Sequence, residues 1–273
     1  MDDDMRAMER IAAALERIAP PVPVSADAAT HPAYIWRDGA LVAARAFAPL
    51  PLEALVGIDA QKAVLVENGR RLAQGHAAHD ALLWGARGSG KSAVVKASVG
   101  ALQADGLDIA LVEVAGDRIA TLPALFDRLA PVGRAFILFV DDLGFDNDAG
   151  APRLLRSLLE GGAEARPGNV RVYVTANRRH IVPRDMAEQD AAINTRDVVD
   201  DRLALADRFG LSLGFHVADQ GAYLAMVAGY AARLGLPFDP MDAVGWATTR
   251  GGRSGRVAWQ YVVELAGRAG RRV

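Results

Sequence analysis

The chain has 273 residues, a formal net charge of −2 and no cysteine. The missing cysteines exclude disulfides, cysteine-ligated zinc, iron–sulfur clusters and a cysteine nucleophile, and the small net charge gives no global basic field that would favour nucleic acid. Apolar residues make up 51% and charged residues 23% of the chain, which indicates a globular protein. The acidic start, MDDDMRAMER, is unlike a signal peptide, and no stretch of about 18 residues is apolar enough to span a membrane. We therefore expect a cytoplasmic protein.

The first 48 residues precede the pattern of the main domain. An amphipathic helix is predicted from apolar residues at three- and four-residue steps, namely Met5, Met8, Ile11, Leu15 and Ile18. It either packs on its own domain or pairs with a partner or a second copy. The Ala- and Pro-rich segment that follows is typical of a linker, and a small hairpin is predicted over 34–45, turning at Asp38-Gly39. We assign 1–19 to the helix and 20–48 to the linker and hairpin.

Short apolar strands alternate with helices in the middle of the chain. The strand segments are 81–84, 109–114, 136–140, 170–175 and 211–217. This alternation predicts a five-stranded parallel sheet covered by helices on both faces, a three-layer α/β core over 49–218. Beyond it only helical patterns remain, which predicts an all-helical region over 219–273.

A complete phosphate-binding motif follows the first of these strands. The pattern G-x-x-x-x-G-K-[ST] is matched by Gly85, Ala86, Arg87, Gly88, Ser89, Gly90, Lys91 and Ser92. Its position between a strand and a helix is the context that the motif requires. Backbone N–H groups of such a loop converge on phosphate, and the helix N-terminus adds its positive end. Lys91 would reach the β- and γ-phosphates and Ser92 would hold Mg²⁺; this chain uses arginine for all but three of its 31 basic residues, so a lysine here is informative.

Polar side chains end two further strands. Asp141 and Asp142 follow the apolar strand 136–140, and Asn177 follows 170–175. Asp141 is a candidate Mg²⁺ ligand, through water, because Mg²⁺ keeps much of its hydration. Asp142 is the candidate base for an attacking water. A glutamate often acts at this position, and aspartate is one methylene shorter, so slow hydrolysis or a different base is the alternative. Asn177 would bridge the γ-phosphate and the water.

The order of these motifs resembles that of the AAA+ ATPases. GARGSGKS is similar to Walker A, FILFVDD to Walker B, VTAN to sensor 1, ADRFG to the box with the arginine finger, and GGRSGRVA to sensor 2. The resemblance covers about 50–270. Phrases such as LLWGARGSGKS and EGGAEARPGNV are most like a bacterial family of stand-alone AAA+ proteins of unknown function. Helicase loaders and transposition ATPases are more distantly similar.

The resemblance implies ATP and Mg²⁺ as ligands and a homo-oligomer as the active form. The segment PLEALVGIDAQK would cover adenine with Val56, Gly57 and Ile58, and the helical region would act as a lid. Arg208 would reach a neighbouring subunit's γ-phosphate; the alternative is a local ion pair with Asp207 or Asp201.

Several arginines leave alternatives open. Arg256 is the preferred sensor 2 residue and Arg253 the alternative. The six arginines of 250–273 form either one sensor and a solvated tail or a surface for an anionic partner. Arg178-Arg179-His180 is either a solvated basic turn or part of the site. His76 and His79 have no third ligand nearby and indicate a loop, not a metal site.

These features together predict an AAA+ ATPase that remodels or loads a protein or protein–nucleic acid partner. The alternative is a nucleotide-gated switch with negligible turnover, which Asp142 favours and Arg208 opposes. The ordered sensors and the helical tail argue against a small-molecule kinase. No zinc finger, helix-turn-helix or aromatic-interleaved basic stripe identifies the partner, so nucleic acid stays unsupported, and no membrane association is expected.

Overall fold

A computed structural model describes residues 2–18, 25–143, 150–160, 166–177 and 207–272. The strands, in chain order, are β1 (Ala33–Arg37), β2 (Ala40–Ala43), β3 (Ala81–Gly85), β4 (Ile109–Val114), β5 (Ala135–Val140), β6 (Val170–Asn177) and β7 (Leu211–Phe215). They form one sheet in the order β2-β1-β4-β5-β6-β3-β7. β2 runs antiparallel to β1, and the other pairings between the described strands are parallel.

Helices cover both faces of this sheet. The α-helices of the described residues are α1 (Asp2–Ile18), α2 (Asp59–Ala73), α3 (Lys91–Ala104), α4 (Leu122–Leu129), α5 (Gly150–Glu160), α6 (Gln220–Arg233), α7 (Pro240–Thr249) and α8 (Gly255–Arg268), with 3₁₀ turns at Leu52–Ala54 and Gly116–Thr121. On β4, Leu111 packs with side chains of α2 and α3, whereas its neighbour Val112 packs with those of α4 and α5. Successive strand residues thus face opposite layers, and the predicted three-layer core is confirmed.

Within the described residues the sheet has seven strands, so the prediction of five was wrong. The predicted hairpin exists and turns at Asp38 and Gly39, both with positive φ (51° and 74°), as a two-residue hairpin turn requires. However, β1 pairs in parallel with β4 and so extends the sheet. The reason is burial: Tyr34 and Trp36 are 1% and 2% exposed, and an isolated hairpin has no second layer to cover such side chains.

Helix α1 leaves its apolar residues exposed. Met5, Met8, Ile11 and Leu15 are 59–70% exposed, so the described part of the chain does not cover the apolar stripe of this helix. The stripe therefore argues against the interpretation that α1 packs on its own domain. In the described ranges, no helix has both the length and the apolar composition needed to cross a bilayer.

The last three helices form a cluster of their own. Tyr223 of α6, Ala243 of α7 and Tyr261 of α8 are fully buried together, and Tyr223 Oη donates to the Ala243 carbonyl at 3.1 Å. Side-chain caps start all three helices: Asp219, Asp239 and Ser254 each accept a backbone N–H. We call these helices the C-terminal unit. Its cluster includes Ala54 of the segment before α2, which links it to the core.

Because β1 belongs to the sheet, Trp36→Ala should destabilise the whole core. The indole is 2% exposed, and its Nε1 donates to Thr121 Oγ1 at 2.8 Å. We expect a loss of about 3–5 kcal/mol in the free energy of unfolding, measured by urea denaturation. Met8→Ala, on the exposed stripe of α1, is the control and should change it by about 0.5 kcal/mol or less. A loss below about 1 kcal/mol in Trp36→Ala would contradict the central role of β1.

Candidate functional site

A cleft of about 750 Å³ opens at the carboxyl ends of β3, β5 and β6, between the core and the C-terminal unit. Its lining residues are Leu50, Leu55, Arg87, Gly88, Gly90, Lys91, Ser92, Ala93, Asp141, Asp142, Thr175, Asn177, Tyr230, Gly255, Arg256 and Trp259. In a parallel sheet the carboxyl ends of adjacent strands lie at one edge, so residues distant in sequence meet there. The cleft therefore joins the predicted phosphate loop, carboxylates and amide.

Two glycines give the phosphate loop its shape. Gly90 has a φ of 96° at the start of α3, a conformation that other residues adopt rarely. At Gly88 a Cβ atom would lie 2.8 Å from Ser254 Oγ, so the loop touches the residue that caps α8. The phosphate loop thus presents the N-terminus of α3 to the cleft while it contacts the C-terminal unit.

Lys91 is buried at the base of this loop. Its side chain is 7% exposed, and Nζ donates to the carbonyl oxygens of Gly85 (3.0 Å) and Ala86 (2.7 Å). Burial lowers the pKa of Lys91, and the carboxylates of Asp142 and Asp141 oppose that effect. The ammonium group is therefore held beside the loop backbone, with two carboxylates balancing its charge.

Asp141, at the end of β5, accepts hydrogen bonds from two hydroxyl groups. Ser92 Oγ donates to Asp141 Oδ1 at 2.6 Å, and Thr175 Oγ1 donates to the same oxygen at 2.5 Å. The phosphate loop, β5 and β6 are thus tied together at one carboxylate oxygen. Asp141 and Ser92 lie next to each other, as the sequence predicted for a pair of metal ligands.

Asp142 has a strained backbone that its neighbours hold in place. Its φ is 52°, in the left-handed region that few residues other than glycine adopt. Its N–H donates to Thr175 Oγ1 at 2.8 Å, and its Oδ1 accepts from Asn177 Nδ2 at 2.5 Å. The two hydrogen bonds fix both the backbone and the carboxylate, and they place the predicted base beside the predicted sensor amide.

The residues present fit a magnesium ion. The Ser92 hydroxyl and the Asp141 carboxylate are adjacent hard oxygen donors, and Mg²⁺ is commonly bound by one or two carboxylates together with phosphate oxygens and water. Among the described residues no group of three or more His, Cys, Asp or Glu side chains forms a metal site. A Mg²⁺ ion here would thus need oxygen ligands from a phosphate and from water.

Part of the lining of the cleft is apolar and aromatic. Leu50 and Leu55 line it from the segment before α2, and Tyr230 and Trp259 line it from the C-terminal unit. The two aromatic rings pack edge to face with centroids 5.5 Å apart. The predicted cover residues Val56, Gly57 and Ile58 are not among the lining residues; Val56 packs on the C-terminal unit and Ile58 on the core.

Of the two sensor 2 candidates, Arg256 lines the cleft. Arg253 does not line it and instead donates to Gln220 at 3.4 Å. Most of the other C-terminal arginines have partners within the chain: Arg250 stacks on Trp246, and the remaining contacts are Arg268 with Glu264 and Asp242 and Arg271 with the carbonyls of Leu234 and Gly235. These contacts favour a folding role for those arginines over a surface for an anionic partner.

Arg208 lies at the other end of the sheet. It precedes β7, whose first residue, Leu211, pairs with Ala81 at the start of β3 and donates its N–H to the Asp80 carbonyl at 3.1 Å. The cleft is at the carboxyl ends of the same strands. A strand of five residues at about 3.3 Å each places these ends roughly 16 Å from the amino ends. Arg208 therefore does not belong to the cleft of its own chain.

Two sequence predictions lie outside the described residues: Arg178-Arg179-His180, and Asp201 as an ion-pair partner. Conversely, sequence reasoning missed Thr175, whose hydroxyl donates to the Asp141 carboxylate and accepts the Asp142 backbone N–H. Its two-residue spacing from Asn177 places both side chains on one side of β6, so strand periodicity was a usable signal. Tyr230 and Trp259 were also missed, and their helical patterns gave no sign of a cleft.

A family model described as a protein of unknown function, DUF815, matches residues 29–269. The chain belongs to the DUF815 family. The match covers most of the chain, including all the described residues that line the cleft. Among proteins with curated annotation, none matches this DUF815 chain.

Solved structures show which fold the DUF815 chain shares. The Thermotoga maritima RuvB Holliday junction branch migration motor aligns with a TM-score of 0.52 at 16% identity, over 82% of this chain and 67% of RuvB. The Aeropyrum pernix ORC1 protein in complex with DNA aligns with a TM-score of 0.54 at 18% identity, over 79% of this chain and 61% of ORC1. At such identities the likeness concerns the fold alone, and it confirms the AAA+ architecture that the motif order predicted.

The contacts of Thr175 generate a stability prediction. Thr175→Val keeps the shape of the side chain but leaves the Asp142 N–H and one Asp141 oxygen without this partner. We expect a loss of about 1–3 kcal/mol in the free energy of unfolding, measured by urea denaturation. Thr175→Ser keeps the hydroxyl and should lose less than about 1 kcal/mol. Equal losses in both variants would show that the hydroxyl contributes nothing.

Proposed function

We propose that this chain is an ATPase that binds ATP with Mg²⁺ in the cleft and hydrolyses it where two subunits meet. The observation that carries the proposal is the convergence of Lys91, Ser92, Asp141, Asp142 and Asn177 in one cleft at the carboxyl ends of three strands. Phosphoryl transfer requires mainly positioning and charge stabilisation. A phosphate loop, an ammonium group, carboxylates and an amide are the groups suited to it.

Each residue has a role in this proposal. The loop N–H groups bind the phosphates, and Lys91 stabilises negative charge on the β- and γ-phosphates. Ser92 and Asp141 would hold Mg²⁺, which would neutralise developing phosphate charge. Asp142 accepts a proton from the attacking water, and Asn177 orients that water through the hydrogen bond that already joins it to Asp142.

We assign the position of the nucleoside from the side chains that line the cleft. The nucleoside would lie against Leu50, Leu55, Tyr230 and Trp259, because these are the large apolar and aromatic side chains that line the cleft. Arg256 reaches the cleft from α8 and would report the phosphate state to the C-terminal unit, which would act as a lid. We propose that movement of this lid acts on a protein or a protein–nucleic acid assembly.

Hydrolysis at a subunit interface follows from the position of Arg208. Arg208 lies near the amino ends of the strands, whereas the cleft of its own chain lies at their carboxyl ends. In a ring or filament a neighbouring copy would present this arginine to the γ-phosphate. Arginine suits that task because its guanidinium is always charged and rigid. The proposal therefore requires an oligomer.

The role of Asp142 is tested by Asp142→Asn. Asparagine also tolerates the left-handed backbone, so the site should keep its shape, but an amide cannot accept the proton of the water. We expect ATP affinity to stay unchanged by calorimetry while steady-state phosphate release falls about 10²–10⁴-fold. Lys91→Ala is the companion variant and should lose ATP binding. Turnover within a few-fold of wild type in Asp142→Asn would place the base elsewhere.

The role of Arg208 is tested by mixing variants. Arg208→Ala should bind ATP normally and lose about 10³–10⁵-fold in turnover. Mixing it with Lys91→Ala should restore part of the activity, because a mixed interface joins one intact phosphate loop to one intact arginine. Arg70→Ala removes another surface arginine, which pairs with Asp105, and should leave turnover unchanged. No rescue on mixing, with turnover independent of protein concentration, would contradict an interface site.

A second candidate function is a switch that binds ATP without appreciable turnover. The observation that favours it is the engagement of the Asp142 carboxylate by Asn177 at 2.5 Å, together with the short reach of aspartate. Steady-state phosphate release by the assembled wild-type chain separates the two. Tight ATP binding with negligible release at any protein concentration would favour the switch.

A further inference from the structure

Lys62 makes a set of contacts that the proposed mechanism does not use. Its side chain is 14% exposed although it lies on α2 next to the protein surface. Nζ donates to the carbonyl oxygens of Leu52 (3.1 Å) and Leu55 (2.8 Å) and pairs with Asp59 Oδ1 at 2.6 Å. The ammonium group thus has three oxygen partners for its three N–H groups.

Lysine is the side chain that such an arrangement needs. An ammonium nitrogen directs three N–H groups tetrahedrally, whereas the N–H groups of an arginine lie in one plane. Two of the partners are backbone carbonyls: that of Leu52, which begins the 3₁₀ turn Leu52–Ala54 and also accepts the Leu55 N–H, and that of Leu55, which follows the turn. The choice is notable because only three of the 31 basic residues in the chain are lysines.

The backbone that Lys62 holds forms one wall of the cleft. We call residues 49–58 the wall segment. Leu50 and Leu55 line the cleft from it. Leu55 is buried with the core, whereas Ala54, one residue earlier, is buried with the C-terminal unit. The wall segment therefore packs against both halves of the cleft, and its exact path decides how far Leu55 protrudes towards a ligand.

We propose that Lys62 is a positioning residue that fixes the nucleoside wall of the cleft by clamping the carbonyls of Leu52 and Leu55. This inference rests on the proposed function, since it assigns the wall to a nucleoside. The side-chain partners of Lys62 are Leu52, Leu55 and Asp59, and none of them belongs to the phosphate loop. Loss of the clamp should therefore weaken recognition of the nucleoside and leave recognition of the phosphates intact.

The test compares two ligands that differ in the nucleoside alone. Wild-type chain, Lys62→Met and Lys96→Met are each titrated calorimetrically with ATP and with inorganic tripolyphosphate in the presence of Mg²⁺. Methionine keeps much of the lysine stem but has no donor. Lys96→Met is the matched control, because Lys96 instead pairs with Glu113 at 2.9 Å and lies over the Phe139 ring.

In Lys62→Met the dissociation constant for ATP should rise about tenfold or more, the scale of a lost charge-assisted hydrogen bond. The constant for tripolyphosphate should stay within about twofold. Lys96→Met should leave both constants unchanged. Lys62→Arg keeps the charge and most of the stem, so it replaces the methionine variant if that variant does not fold. It should weaken the binding of ATP by a smaller factor and leave the binding of tripolyphosphate unchanged.

Three results would overturn the inference. One is wild-type affinity for ATP in both Lys62 variants, and another is an equal loss for ATP and tripolyphosphate in a folded Lys62 variant. In either case wild-type binding of ATP would leave the proposed function standing. A wild-type chain that binds neither ligand would instead overturn the proposed function, and the nucleoside assignment of the wall with it.

Discussion

The Thr175 hydroxyl makes a hydrogen bond to each of the two acidic residues that follow β5. It donates to Asp141 and accepts the N–H of Asp142, so a single side chain from β6 joins both acidic residues to the neighbouring strand. Asp141 in turn accepts the Ser92 hydroxyl from the phosphate loop. The three segments of the cleft are thus held in register by one chain of hydrogen bonds. A phosphoryl-transfer site needs such fixed positions because its catalysis is mainly positioning.

The same hydrogen bonds explain the unusual aspartate at position 142. A φ of 52° is tolerated by aspartate and asparagine better than by longer side chains. The strained backbone points the short carboxylate to Asn177, and the contact with Thr175 offsets part of the cost. A shorter acid in a left-handed conformation is therefore a local solution, in which backbone geometry and side-chain length are adjusted together.

Local pattern was enough to predict the phosphate loop and the core strands, because each depends on residues adjacent in sequence. The place of β1 in the sheet was not predictable in this way, since its partner β4 is more than 70 residues away and is joined to it by parallel pairing. That Leu50 and Leu55 line the cleft was not predictable for a related reason. Which side chain of 50–58 reaches the cleft depends on the contacts of Leu52 and Leu55 with Lys62, and these are tertiary.

Residues of both the core and the C-terminal unit line the cleft. This shared lining is the physical basis for coupling between ligand binding and the position of the C-terminal unit. Gly88 of the phosphate loop allows contact with Ser254, which caps α8, and Arg256, two residues later, lines the cleft. A ligand that orders the loop must also bias the position of α8, because a change at one surface of a close-packed contact is felt at the other. If Arg208 of a second copy closes the same cleft, a single phosphate would then be contacted by the core, the C-terminal unit and the neighbour. Loss of that phosphate would release all three contacts together, and hydrolysis would thereby change the geometry within the subunit and between subunits.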